Sequence, residues 1–95
     1  MGWIELPGGG QTADAPTAVV FEDRIWLFVR ADDGSVWANS GDDDGAWESW
    51  EQIGPAGTLA SAPSAVAKGG GLYIFGRAPD GSIRTLSRGE YEGWS

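Results

Sequence analysis

Ninety-five residues with a hydrophobic share of 41% and 16 glycines make a chain of single-domain length, globular and rich in turns rather than disordered. Fourteen acidic against six basic residues leave a formal charge of -8, which repels nucleic-acid phosphates and anionic membrane surfaces, so neither is an expected partner. Cysteine and histidine are both absent, which removes disulfides, thiolate metal sites and the commonest general base together.

In chain order, a short extended piece at 3–6 runs into Pro7 and three glycines, a loop signal. This start has no charged region followed by an apolar run, and nothing later reaches the length of a membrane span. The sequence therefore reads as soluble, without export signal or membrane insertion. Gly2 raises myristoylation, but Leu6 stands where that signal needs Ser or Thr. Three strand signals follow: β-branched and apolar residues at 17–21, the unbroken run Ile25, Trp26, Leu27, Phe28 and Val29 within 24–30, and Val36 with Trp37 within 35–40. Glu22-Asp23 and the segment 31–34 are hairpin-sized separators, and Gly34 supplies the positive φ that a bulged hairpin needs. The acidic tip Asp42, Asp43, Asp44 leads into a fourth strand expected at 47–53, then a Gly- and Pro-rich loop to Ser61. Strands are expected again at 64–68, 72–77 and 82–88, with Pro79-Asp80-Gly81 as a turn. A last strand has only begun at Trp94-Ser95.

These two sets are copies of one unit. Residues 15–40 align without a gap on 62–87, and the same offset of 47 carries Trp3 onto Trp50 and Trp47 onto Trp94. Four short strands at this period are the layout of a β-propeller blade. The expected fold is all-β: a propeller of four-stranded antiparallel blades, two per chain, as one segment over 1–95, with repeat 1 at about 3–49 and repeat 2 at about 50–95. Second strands apolar at consecutive positions suit a sheet buried on both faces, whereas an eight-stranded sandwich would alternate in every strand.

Two blades alone leave two apolar faces and an open edge, so the expected partner is the chain itself. Removal of Met1 leaves 94 residues, twice 47. If Ser95 of one chain abuts Gly2 of the next, Trp94-Ser95-Gly2-Trp3 repeats the spacing of Trp47 and Trp50, and a neighbour's N-terminus completes the last strand of repeat 2. A head-to-tail ring closes at an even number of blades; a homotrimer of about six is preferred, then a homotetramer of about eight.

A set of repeated positions carries a motif: Trp47, Trp50, Ser61, Pro63, Ala65 and Val66, then Leu72, Phe75, Arg77 and Asp80, with Pro16, Ile25, Phe28, Arg30, Asp33, Val36 and Trp37 in the first unit. In these the chain resembles the PLL-type bacterial propeller lectins, named for the Photorhabdus lectin, whose blades read W-S-x-W, S-x-P-x-A-V and L-x-V-F-x-R-G-x-D-x-x-L-W. It departs from them in having two blades where the family has about seven in one chain, in Ala31 and Ala78 after the arginine, and in Ile83-Arg84 for the L-W pair. The resemblance implies a carbohydrate-binding lectin for fucose-like or similar small sugars. The alternative is a designed, reconstructed or excised self-assembling fragment with no ligand, against which the imperfect agreement of the copies counts only for an idealised design. A weaker alternative is a sialidase-like glycosidase, because Asp32-Asp33-Gly34 to Trp37 has Asp-box spacing; Pro79 breaks that match in the second unit.

Candidate sugar contacts are Trp37, Asn39, Trp47, Trp50 and Trp94, with Arg30 and Arg77 as hydrogen-bond donors. Each has a structural reading beside it. Residues three apart in a strand point to opposite faces, so Trp47 and Trp50 can each pack on a different neighbouring blade. Arg30 and Arg77 suit a tie across the hairpin end, Trp26 and Tyr73 suit core, and Asp33 and Asp80 suit the turns. Where the first unit has Trp37 and Asn39 the second has Arg84 and Leu86, so an aromatic platform with an amide occurs once per chain. No spaced acidic pattern marks a calcium loop at 42–44, no carboxylate pair marks a glycosidase, and neither metal, cofactor nor catalysis is expected.

Overall fold

The computed structural model describes residues 12, 14–42, 46–89 and 93–94. The extended piece expected at 3–6, Asp43 and Asp44 of the acidic tip, and Ser95 with any strand continuing from it lie outside the described residues. The rest is two antiparallel sheets, with no helix long and apolar enough to cross a membrane among the described residues. The first sheet holds β1 (Thr17–Phe21), β2 (Arg24–Arg30), β3 (Val36–Gly41) and β4 (Glu51–Gly54) in chain order; the second holds β5 (Ser64–Lys68), β6 (Gly71–Arg77) and β7 (Ile83–Gly89).

The turns set this order. Glu22 and Asp23 both take positive φ, 56° and 60°, as a two-residue hairpin between right-twisted strands requires, and Gly69 and Gly70 do the same in the second sheet at lower conformational cost. At the next hairpin Asp33 Oδ1 accepts from Ser35 N at 2.9 Å and from the Ser35 hydroxyl, while Asp80 repeats the pattern on Ser82. These bonds satisfy donors that the turn turns away from the ladder.

β4 is shorter than the 47–53 expected. Trp47 forms an isolated bridge with Gly41, Glu48 N donates to Ser40 O, and regular pairing resumes only at Glu51 opposite Ala38, with a bulge between Val36 and Trp37. The Trp47 ring packs against Gly41, where a Cβ would come within 2.6 Å of it. In the second sheet the counterpart bridge, Arg88 to Trp94, is the one element beyond β7 among the described residues.

The sheets pack face to face, with Phe21, Trp26, Phe28 and Ala38 of the first against Leu72 and Ile74 of the second. Strand parity explains which residues meet. Trp26 and Phe28 are buried while Leu27 between them and Ile25 and Val29 on either side are only half-buried, because the opposite face of the sheet is less covered within the chain. Thr17 Oγ1 donates to Pro63 O at 2.5 Å, tying β1 to the residue that precedes β5.

Candidate binding cleft between the sheets

At one end of the space between the sheets, aromatic rings and a guanidinium converge. Trp26 and Phe28, two apart on β2, stack with centroids 6.2 Å apart and planes 9° from parallel. Trp94 stands edge-on to both, at 6.0 Å and 5.7 Å. Arg88 on β7 projects from the facing sheet, its Cζ 5.1 Å from the Trp26 centroid and 5.7 Å from that of Trp94. The cation sits against two negative ring faces, a favourable arrangement of about 0.5–2 kcal/mol depending on desolvation.

Its hydrogen bonding is incomplete. Trp26 Nε1, Trp94 Nε1 and Arg88 Nε are all buried without an acceptor, and the described ion pairs, Arg24 with Glu48 and Arg30 with Asp14, do not include Arg88. An unpaired buried donor costs about 1–3 kcal/mol, so three in one cluster are a concentration that a folded core does not tolerate without a reason. Arg24, two residues before Trp26 on the same face, reaches Ser40 Oγ and Glu48 Oε2 at 3.4 Å each. The cluster thus offers aromatic faces and donors, while the nearby Ser40 hydroxyl and one Glu48 carboxylate oxygen are engaged by Arg24.

A cleft of about 250 Å³ lies between the sheets away from the aromatic cluster, lined by Val36, Ile53, Leu59, Ile74, Leu86 and Arg84. It is almost wholly carbon-lined, and Arg84 Nη1 is already held by Thr58 O at 3.1 Å. It can take an apolar group and has little with which to orient a polar ligand.

Of the seven residues singled out in the sequence, Trp94 alone stands in the aromatic cleft. Trp37 and Asn39 fall on the opposite face of the first sheet, since Ala38 between them packs inward. Trp37 Nε1 donates to Ser35 Oγ at 2.9 Å, and Asn39 is buried with Oδ1 accepting from Ser40 N and Nδ2 unpartnered. Trp47 packs on Gly41 on that same outer face, and Trp50 is half-buried. Arg30 is tied to Asp14 at 2.7 Å, and Arg77, exposed, reaches Ala60 O at 3.5 Å. Arg88 and Trp26 were not among the sequence candidates. The signal that marks Arg88 is its repeat partner: where the first unit has Gly41, under Trp47, the second has an arginine beside Trp94.

Two carboxyls depart from ordinary behaviour. Bonds from the Ser35 hydroxyl and then its backbone N–H hold Asp33 below the usual carboxylate range, and the same pair from Ser82 lowers Asp80, with a smaller contribution from the Arg84 charge. Both serve turns. Among the described residues no three Asp or Glu side chains converge as a metal-ligand set would. The chain matches no family model and no curated protein.

Proposed function

We propose that this chain is a carbohydrate-binding module, a two-blade segment of a β-propeller whose ring is completed by further copies, three chains and six blades being the preferred closure. The observation that carries the sugar reading is the Arg88 guanidinium held between the rings of Trp26 and Trp94 with no carboxylate opposite it among the described residues. A sugar supplies what the cleft lacks. Its ring oxygens and hydroxyls accept from indole and guanidinium N–H groups, and its C–H face stacks on an indole. Trp94 is half-buried, and on this reading a ligand reaches the covered donors by displacing its ring. The resemblance to PLL-type propeller lectins points to the same class of ligand, fucose-like sugars included.

A glycan array probed with the labelled protein tests this reading. A set of related small sugars bound by the wild type and lost in Trp94→Ala supports it, and a blank array contradicts it.

A further inference from the structure

The 47-residue repeat sorts the four sheet faces into two kinds, and one face of each kind is left open. Inside the chain, a face carrying Val19, Trp26, Phe28 and Val36 packs on a face carrying Ala65, Ala67, Leu72 and Ile74. Advanced by the repeat, the first set becomes Val66, Tyr73, Phe75 and Ile83. Strand parity puts these on the outer face of the second sheet, where they are 46%, 38%, 40% and 73% exposed. Moved back by the repeat, the second set becomes Ala18, Val20, Ile25 and Leu27 on the outer face of the first sheet, with Val20 67% exposed.

We infer that a second copy of this chain covers these faces, the outer face of one copy's second sheet packing on the outer face of the next copy's first sheet in the register of the intrachain contact. The inference rests on the blade reading of the two sheets and not on the sugar. Each open face is a version of one half of an interface that the chain already makes, with apolar residues at the same strand positions in the same order. The polar tie is kept as well. Thr17 donates to Pro63 O within the chain; its repeat partner Ser64 retains the hydroxyl, and Pro16 is the repeat partner of Pro63, so Ser64 of one copy donates to the Pro16 carbonyl of the next. The contact is heterologous, joining two different patches, and it propagates from copy to copy until a ring closes.

The new cleft between copies differs from the intrachain one. Tyr73 stands in place of Trp26, and Gly41 beneath Trp47 in place of Arg88, so no guanidinium stands at that place in the boundary. Ligand sites of the Arg88 kind therefore number one per chain.

Light scattering on the 95-residue chain and on two single variants tests the assembly. Val20→Glu places a charge on one open face and Phe75→Glu on the other; both sites are exposed, so the covered core is undisturbed. The wild type is expected above the 10.0 kDa chain mass, and each variant at the chain mass. An equimolar mixture of the two, each retaining one intact face of the opposite kind, is expected to form a species of twice the chain mass and nothing larger. Circular dichroism checks each fold, with Ala18→Glu or Val66→Glu replacing a variant that does not fold. A folded wild-type monomer, folded variants that still assemble, or a mixture that stays monomeric overturns the inference. Sugar binding by the monomeric variants is measured separately, because the Trp26, Arg88 and Trp94 cleft lies within one chain; its loss or retention leaves the mass result intact.

Discussion

Arg88 and Trp94 are bridge partners across antiparallel backbone, and the guanidinium of the first lies 5.7 Å from the ring centroid of the second. This pair joins a charged donor to a half-buried aromatic ring. Because Arg88 makes no ion pair among the described residues, truncating it removes ring contacts and no salt bridge to any of them. Arg88→Ala is expected to abolish sugar binding while lowering stability by about 1 kcal/mol or less, on the scale of a partly exposed cation–π contact. Binding by calorimetry and the denaturant midpoint, read on the same variant, check both halves.

Trp37 separates the sequence reading of the site from the structural one. It lies on the outer face of the first sheet, with its N–H engaged by Ser35 Oγ, away from Arg88 and Trp94. Trp37→Ala is expected to leave affinity in the intrachain cleft within about twofold, well under the tenfold that 1.4 kcal/mol would give, while weakening association between copies. Loss of sugar binding by a folded Trp37→Ala protein would return the site to that outer face.

Two turn glycines with the same backbone requirement have different surroundings. Gly34 and Gly81 sit at φ 85° and 90°. A Cβ on Gly34 would meet Gly57 N at 2.9 Å, and the Gly34 carbonyl accepts from Thr58 and Leu59, whereas a Cβ on Gly81 meets nothing. Gly81→Ala is expected to cost about 1 kcal/mol, the penalty for a left-handed residue with a side chain. Gly34→Ala adds displacement of the 57–59 loop and should cost at least about 1 kcal/mol more, within the range of overpacking. Urea midpoints of the two variants give the difference.

Acid sensitivity follows from the turn aspartates. Asp33 and Asp80 have lowered pKa values in the folded chain because Ser35 and Ser82 donate to their ionised forms. A depressed carboxylate adds stability that is fully present above its unfolded pKa, about 4, and is lost as pH falls through the lower folded value. Their contribution is therefore flat from neutral pH down to about 5 and declines below about 4. In Asp33→Ala with Asp80→Ala the stability difference from wild type should shrink across that acid window. A difference that stays constant from pH 7 to about 2 would detach the turns from acid unfolding.

Much of the fold could be read from the sequence because its turn chemistry and strand residues recur at one period. The bounds of β1, β2 and β5 match the expectation, and β3, β6 and β7 differ by a single residue at one or both ends. The fourth strand is shorter than the sequence suggests because Trp47, a residue type at home in strands, packs its ring over Gly41 and the chain rejoins the ladder only at Glu51. The aromatic cleft was half-legible. Trp94 declared itself through its repeat partner Trp47, but Trp26 looked like core, which it also is, and Arg88 occupies a place where the first unit has glycine. A comparison of repeats notices residues that agree; Arg88 matters through disagreement. Arg30 was expected to tie the hairpin end near Asp33, yet pairs with Asp14, a loop residue whose approach only the folded path of the chain brings about.

The most direct test of the sugar site is calorimetric titration of the purified chain with a methyl glycoside of whichever sugar the array selects, methyl α-L-fucoside first. One saturable site per chain, present in wild type and Trp37→Ala and absent from folded Arg88→Ala and Trp94→Ala proteins, is the predicted result. Binding that survives unchanged in Arg88→Ala, or no heat of binding with any array-selected sugar, would contradict it.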